Sequence, residues 1–137
     1  MKNLLLVLIC VMLVGCYATT VHQVTAPNRA NLIKLSIGMS KNEAISIMGT
    51  TPFSAGGFNF TGGQTTRMTI NNPYRSEILQ GKNKTLEVVY YVTDVKSDDG
   101  AITDDELFPL VFDEGKLIGW GWSFLQDNIQ KYEIRVR

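Results

Sequence analysis

The amino-terminal segment places the first limit on how this chain of 137 residues folds. One basic residue, Lys2, precedes an unbroken apolar run, Leu4–Leu13, and the small residue Gly15 then stands directly before Cys16. A basic start, a short apolar core and small residues before a cleavage point are typical of a secretory signal. The run is too short to cross a bilayer as a helix, which takes about 20 apolar residues. We therefore expect residues 1–15 to be a signal peptide and the fold to lie in the remainder.

The stretch Leu13-Val14-Gly15-Cys16 resembles the lipobox of bacterial lipoproteins, in which a cysteine follows the cleavage point. The resemblance implies that Cys16 becomes the lipidated first residue of the mature chain. Several acyl chains hold a protein on a membrane lastingly, whereas one chain holds it only marginally. Tyr17 stands where an Asp favours retention in the inner membrane, so the resemblance also implies the outer membrane, with the domain facing the periplasm. An ordinary cleaved signal or an uncleaved anchor is the alternative.

The use of cysteine and charge excludes several kinds of chemistry. Cys10 would leave with the signal and lipid would occupy Cys16, so no thiol is left for a disulfide, a metal site or nucleophilic catalysis. Basic and acidic residues balance at 13 each, without a basic patch that would bind nucleic acid. The single histidine, His22, lies in residues 16–30, a polar stretch interrupted by Pro27 that we predict to be a flexible linker. We expect no cofactor, no resident metal and no small-molecule substrate.

Residues 31–137 are predicted to form a single domain. A short helix is expected at residues 31–34, and a second begins at Ser40, which forms a capping box with Glu43 before Gly49 ends the helix. Residues 74–80 are expected to be irregular or a helical turn. The other patterns predict strands at 86–95, 108–112, 116–125 and 131–137, together with a glycine-rich hairpin at 53–70. This order predicts an α+β fold in which two short helices pack on an antiparallel sheet of about 3–5 strands.

The aromatic segment from Ile118 to Phe124 stands out within the predicted strand at 116–125. Alternate residues of a strand share a face, so Ile118, Trp120, Trp122 and Phe124 are predicted on one face, opposite the intervening glycines. Packing in the core is the simplest interpretation. Because Trp is enriched at binding hot spots, we also predict that Trp120 or Trp122 contributes to a partner-binding surface.

Two further surface candidates follow from charged and aromatic residues in loops. Tyr74 and Arg75 are predicted to bind a partner, the alternative being that Arg75 pairs with Glu77 as a structural brace. The acidic loop at 96–106 matches part of a calcium-binding loop, but it lacks the first ligand and the flanking helices. A solvated loop is therefore the favoured interpretation, and the weak candidates for a cation are Asp98, Asp99 and Glu106.

The segment Ile37-Gly38-Met39-Ser40-Lys41-Asn42-Glu43-Ala44, followed by Gly49 and Pro52, resembles the helix signature of the SmpA/OmlA superfamily of small bacterial outer-membrane lipoproteins. The segment 111–117 is similar to a hairpin of the same superfamily. The resemblance implies the α+β fold given above, which also occurs in β-lactamase inhibitory proteins. The two threonines before Pro52 and the glycine-rich hairpin depart from the pattern, and they indicate a relative of the best-known member rather than that member itself.

The sequence contains no metalloprotease, serine hydrolase, nucleotide-binding or CxxC motif. It favours a non-catalytic envelope lipoprotein that binds protein as a scaffold or assembly factor at the outer membrane. The resemblance implies a role in β-barrel protein assembly or envelope integrity. The alternative is an inhibitor or ligand-binding lipoprotein that clamps an envelope enzyme or polymer with its sheet face. An enzyme would require a buried carboxylate with a shifted pKa in a cleft around Glu77 or Asp94.

Overall fold

The computed structural model describes residues 25–58, 65–96 and 101–134. In chain order, these residues form helix α1 (25–32), α2 (Lys41–Met48), β1 (Phe53–Phe58), β2 (Thr65–Ile70), β3 (Arg75–Gln80), β4 (Thr85–Val92), a 3₁₀ turn (Asp104–Glu106), β5 (Leu107–Asp113), β6 (Lys116–Trp120) and α3 (Trp122–Lys131). The predicted α+β class is confirmed. In the part of the chain described, no helix combines the length and apolar character needed to cross a membrane.

The main sheet has four antiparallel strands in the order β3-β4-β5-β6, so every strand pairs with its neighbour in the sequence. β1 and β2 pair with each other as a separate antiparallel hairpin, as predicted. β4 lies in the interior of the main sheet and is rich in Val and Tyr, the residue types that pack well on a pleated surface. Its side chains are buried on both faces because helices cover both sides of the sheet.

Helices α1 and α2 cover one face of the sheet. Ser40 caps α2 through the predicted capping box, in which its hydroxyl accepts from the Glu43 backbone N–H and the Glu43 carboxylate accepts from the Ser40 N–H. Ala44 and Met48 lie one turn apart and are buried against the sheet. The sheet contributes a set of large side chains to this cluster, namely Val89, Tyr91, Leu110, Phe112 and Leu117.

Helix α3 covers the opposite face. Leu125 is buried against Val88 and Val111 of the sheet, while Trp122 and Ile129 pack around it half-buried. The predicted edge strand at 131–137 is therefore wrong over the residues that are described, since Lys131 ends α3 and Ile134 is buried in the same cluster. Residues 135–137 lie outside the described ranges.

Helix α1 corrects the predicted boundary between linker and domain. The chain is helical from the first described residue, 25, inside the stretch 16–30 predicted to be a flexible linker, and Thr25 and Asn28 are buried. Pro27, which is predicted to interrupt this stretch, is part of the helix. The Asn28 amide donates to the carbonyl oxygen of Val92 at 2.8 Å, which joins α1 to β4. The folded domain therefore starts at least six residues before the predicted boundary.

Two other predicted elements differ in the structure. Residues 74–80 were expected to be irregular, but Arg75–Gln80 is strand β3 because it pairs with β4 along its whole length. The predicted strand at 116–125 ends at Trp120, after which Gly121 adopts a φ of +87° and α3 begins. That φ lies in the region that favours glycine, so it allows the chain to turn sharply from sheet to helix.

The predicted alternation of aromatic residues in β6 is also wrong. Leu117 pairs with Phe112, and Gly119 pairs with Val111, so Ile118 is an extra residue in the ladder. Such a bulge resets the alternation of faces beyond it. Ile118 therefore packs on the α3 side, and Trp120 packs on the α1–α2 side.

The predicted signal peptide at 1–15, the lipidated Cys16, Tyr17 and His22 all lie outside the described residues. The same holds for the turn of the glycine-rich hairpin and for Asp98 and Asp99 of the acidic loop.

Candidate functional site

A groove of about 1130 Å³ lies between β3 and α3, on the face of the sheet that α3 covers only in part. We call it the β3–α3 groove. Its walls combine apolar residues from strand and helix with charged residues at both ends. The lining residues are Arg75, Glu77, Ile78, Leu79, Gln80, Gly81, Lys82, Tyr90, Asp104, Trp122, Leu125, Ile129 and Glu133.

One end of the groove holds a cluster of ion pairs around Arg75. Its Nη2 atom lies 2.9 Å from Oδ1 of Asp104, and its Nε atom lies 3.1 Å from Oε1 of Glu77. Alternation along β3 places Arg75 and Glu77 on the same face, and the 3₁₀ turn brings Asp104 to them. The predicted pairing of Arg75 with Glu77, which braces the neighbouring loop, is therefore present.

The ion pairs leave one hydrogen-bonding group unsatisfied. Among the side chains described, the Nε atom of Arg75 is the buried nitrogen that lacks a hydrogen-bond partner, because its N–H is not aligned with the nearby Glu77 oxygen. Burial opposes the charge on Arg75, but attraction to Asp104 and Glu77 outweighs burial and holds the pKa of the guanidinium above its ordinary value. Arg75 thus remains a cation, and its buried Nε–H makes no hydrogen bond.

Two aromatic residues connect this charged end to the apolar part of the groove. The Arg75 guanidinium lies over the ring of Tyr90, with Cζ 4.4 Å from the ring centroid, and the Tyr90 hydroxyl donates to Glu77 at 3.2 Å. The rings of Tyr90 and Trp122 are 5.8 Å apart in a tilted arrangement. Burial and the nearby Glu77 carboxylate raise the pKa of Tyr90 to about 12. The indole N–H of Trp122 donates to the backbone oxygen of Leu107 at 2.8 Å, which fixes the ring in the wall of the groove.

The other end of the groove is closed by contact between the β3–β4 turn and the end of α3. The backbone N–H of Lys82 donates to the carbonyl oxygen of Tyr132 at 3.2 Å. Gly81 lies so close to that carbonyl that an added Cβ would meet it at 2.4 Å. The side chains of Lys82 and Glu133 project into solvent here, 3.9 Å apart and each 71% exposed.

The two edges of the main sheet differ in how they are protected. At β6, the segment before α2 covers the edge, since Gly38 donates to the Leu117 oxygen and the Leu117 N–H donates to Met39. At β3, no strand among the described residues pairs with the outer edge. The large hydrophobic side chain of Ile78 is 59% exposed on this strand, which carries neither Lys nor Pro. An open edge of this kind is a template for pairing with another chain.

The structure brings two of the four predicted partner-binding residues together. Arg75 and Trp122 both line the β3–α3 groove. Tyr74, next to Arg75 in the chain, instead packs half-buried against the α3 side of the core. Trp120 packs against the other face of the sheet, so the two tryptophans do not share a surface.

Glu106 is the predicted cation ligand that lies among the described residues, and its carboxylate is already engaged by the loop itself. This residue is 2% exposed, and its two carboxylate oxygens accept from the backbone N–H groups of Lys96 and Thr103 at 2.6 and 2.8 Å. It organises the loop rather than presenting oxygens to solvent. The described residues contain no group of three or more His, Cys, Asp or Glu side chains arranged to hold a metal ion.

The two carboxylates considered for catalysis lie in different places. Glu77 is in the groove, where it is ion-paired with Arg75 and accepts from Tyr90. Asp94 lies outside the groove with a side chain 55% exposed, and it forms an ion pair with Arg29 at 3.9 Å. This arrangement suits binding better than proton transfer, since the groove carboxylate is already held by two partners.

Sequence reasoning missed the helix wall of the groove and the residues of β4 and the β3–β4 turn. Trp122, Leu125, Ile129 and Tyr132 recur at spacings of three or four, which is the period of an amphipathic helix. That signal was hidden by the alternation of glycine and aromatic residues just before it. Among the described residues, the geometry offers a binding surface with charged ends and an apolar middle.

No curated protein and no solved structure matches this chain significantly. A family described as "Protein of unknown function (DUF3192)" matches residues 10–127. The match includes Cys16 and every strand and helix described up to most of α3. Because it covers most of the chain, this protein belongs to that family.

Proposed function

We propose that this protein is a lipid-anchored protein of the bacterial outer membrane that binds another envelope protein without catalysing a reaction. The observation that carries the proposal is the β3–α3 groove, which both Arg75 and Trp122 line beside an open sheet edge. Arg and Trp are enriched at the centres of protein interfaces because each combines a large contact area with a hydrogen-bonding group.

The position of Cys16 supports the location in this proposal. If Cys16 carries a lipid, as the resemblance of Leu13-Val14-Gly15-Cys16 to a lipobox implies, that lipid is attached nine residues before the first described residue of α1. A short tether of this kind raises the effective concentration of the groove toward partners on the same membrane without any new contact. The resemblance to the SmpA/OmlA superfamily supports a role in β-barrel protein assembly or envelope integrity.

An inhibitor that clamps an enzyme with its sheet face has less support. Helices α1 and α2 pack on one face of the main sheet, and α3 packs on the other. In the part of the chain described, helices therefore cover both faces of the main sheet, and the strip of β3 that borders the groove remains accessible.

Lipidation is tested by metabolic labelling with a fatty acid that carries a clickable group. The wild-type chain should incorporate the label and fractionate with the outer membrane. Cys16→Ala should lose both properties, whereas the matched variant Cys10→Ala should keep them because that cysteine lies within the signal. Equal labelling of the wild type and Cys16→Ala would refute the anchor.

Partner binding is tested by placing a photo-reactive amino acid at the two ends of the groove, in place of Lys82 and of Asp104. Both side chains are exposed, so the substitutions should leave the core intact. We expect the same cross-linked envelope protein from both positions in intact cells. The control position is Lys34, which is exposed at the end of α1 and does not line the groove. Adducts from Lys34 alone, or from no position, would contradict the proposal.

A further inference from the structure

We propose that the outer edge of β3, together with the β3–α3 groove, binds an extended peptide segment of a partner protein, which adds to the sheet as a fifth strand. This inference rests on the proposed function and specifies the chemistry of the partner at that same site. In such strand addition, backbone hydrogen bonds supply affinity, and pockets for alternate side chains supply specificity.

Every second residue of β3 directs its backbone N–H and C=O groups away from β4, as strand addition requires. The Gly81 N–H donates to the Lys84 oxygen at 2.7 Å, which makes these two residues a hydrogen-bonded pair. Pairs of this type alternate along an antiparallel ladder, so Leu79 and Glu77 also bond inward to β4. The residues between and beside them point their N–H and C=O groups outward, and these are Ser76, Ile78 and Gln80.

The groove lies where the side chains of an added strand would project. Ile78 and Gln80 line it although alternation directs their side chains away from α3, so the groove reaches the outer edge of β3. Every second side chain of the added strand would enter the groove and contact Leu125 and Ile129 in its apolar middle. The exposed Ile78 would then be covered by the side chains on the other face.

The charges of the groove specify the partner further. Glu77, Asp104 and Glu133 outnumber Arg75 and Lys82, and Asp104 remains 67% exposed despite its ion pair. A segment with apolar residues at alternate positions and a Lys or Arg near Asp104 complements this arrangement. A second copy of this chain fits less well, because its own Arg75 and Glu77 are ion-paired and its Leu79 is buried in its own core.

The test is a selection of displayed random peptides, each somewhat longer than β3, against the purified lipidated chain in detergent. We expect the enriched peptides to alternate apolar and polar residues and to carry a basic residue toward one end. Changing that residue to Glu in a synthetic copy should weaken binding about tenfold. Enrichment of peptides without alternation would overturn the inference.

Two changes to the backbone test strand addition directly. Ile78→Pro removes an outward N–H from an edge strand, where proline is tolerated, and it should weaken peptide binding about tenfold or more. The matched variant Ile78→Val keeps the N–H and should bind as the wild type does. Methylating alternate amides of the peptide should abolish binding in one register and spare it in the other, with the protein unchanged.

Peptide binding that is insensitive to both changes would overturn strand addition. If the photo-cross-links of the groove to an envelope protein persisted in that case, the proposed function would stand without it. If the chain formed a dimer without any peptide, and substitution of Ile78 abolished that dimer, the edge would bind a second copy of the chain. That result would likewise refute the inference.

Discussion

The guanidinium of Arg75 lies over the ring of Tyr90, with Cζ 4.4 Å from the centroid, while the Tyr90 hydroxyl donates to the same Glu77 that pairs with Arg75. The three side chains stand on adjacent strands, since Arg75 is directly opposite Tyr90 in the ladder between β3 and β4. Cross-strand pairs of this kind stabilise a sheet edge by amounts that depend on how far water is excluded. The arrangement therefore links the stability of the edge strand to the shape of the groove.

Arg75→Ala should lower the free energy of unfolding by about 1 kcal/mol, because the ion pairs are partly exposed and water screens them. Asp104→Asn should cost less, since the Asp104 side chain is the more exposed partner. Urea denaturation of both single variants and of the double variant measures their coupling. A coupling energy near zero would mean that the 2.9 Å contact contributes nothing to stability.

Tyr90 should make stability depend on alkaline pH. Its pKa rises from an ordinary 10.0 to about 12 in the folded state, so the folded chain holds this proton more tightly than the unfolded chain. The resulting stabilisation is complete below pH 10.0 and is lost as the pH rises toward about 12. Tyr90→Phe should flatten this decline in the free energy of unfolding.

Spectrophotometric titration of tyrosinate provides an independent measurement of the Tyr90 pKa. The difference between wild type and Tyr90→Phe should show a group that titrates near pH 12. Tyr91 is a useful comparison, because burial alone raises its pKa to about 12 without a neighbouring carboxylate as a cause. A Tyr90 difference spectrum centred on the ordinary value of 10.0 would contradict the packing described for the groove.

Gly81→Ala should destabilise the domain by about 2 kcal/mol or more, because the new Cβ would meet the backbone oxygen of Tyr132 at 2.4 Å and backbone yields less readily than a side chain. The damage should open the closed end of the groove, where the Lys82 N–H bonds to that oxygen. Thermal unfolding with Lys82→Ala as the control separates the two effects, since that exposed side chain should matter little. Equal melting temperatures for both variants would refute this contact.

Glu106→Ala should cost about 1–2 kcal/mol, because it removes the carboxylate that accepts from the part-buried backbone N–H groups of Lys96 and Thr103. Glu106→Gln should cost less, since its amide oxygen still accepts one of the two bonds. Denaturant unfolding should rank the variants in that order. The reverse order, or a large stabilisation of the wild type by Ca²⁺, would indicate that Glu106 serves a cation instead of the loop.

The parts of the fold that the sequence predicts well are those set by local chemistry. The capping box at Ser40 and Glu43, the glycine after α2 and the β-branched and aromatic run of β4 all fix structure within a few residues. The failures occur where distant parts of the chain decide. Residues 75–80 have little strand propensity of their own and become β3 because β4 offers a partner, and helix α1 is held by the bond from Asn28 to Val92.

The candidate site was predicted only in part for the same physical reason. Arg75 and Trp122 were chosen for their residue types, but their proximity depends on the bulge at Ile118 and on the positive φ of Gly121. Without that bulge and turn, alternation would place Trp120 and Trp122 on one face. The bulge therefore sets the face of Trp120, and the turn at Gly121 starts the helix that carries Trp122 into the groove wall.

The contact between Gly119 and Phe124 offers the sharpest test of this bulge. A Cβ at Gly119 would lie 2.4 Å from the Phe124 ring, so the ring rests directly on the glycine of β6. Gly119→Ala should therefore cost about 1–3 kcal/mol by overpacking. In a Phe124→Ala background, where the ring is absent, Gly119→Ala should cost much less. The double-mutant cycle should therefore give a coupling energy of about 1 kcal/mol or more.

Gly115 supplies the matched control for that cycle. It has a φ of +74°, and nothing lies within 4 Å of an added Cβ, so Gly115→Ala strains the backbone without touching Phe124. Its cost should add to that of Phe124→Ala with no coupling. If the Gly119 cycle is also additive, then β6 does not present Gly119 to the Phe124 ring, which would contradict the bulge at Ile118.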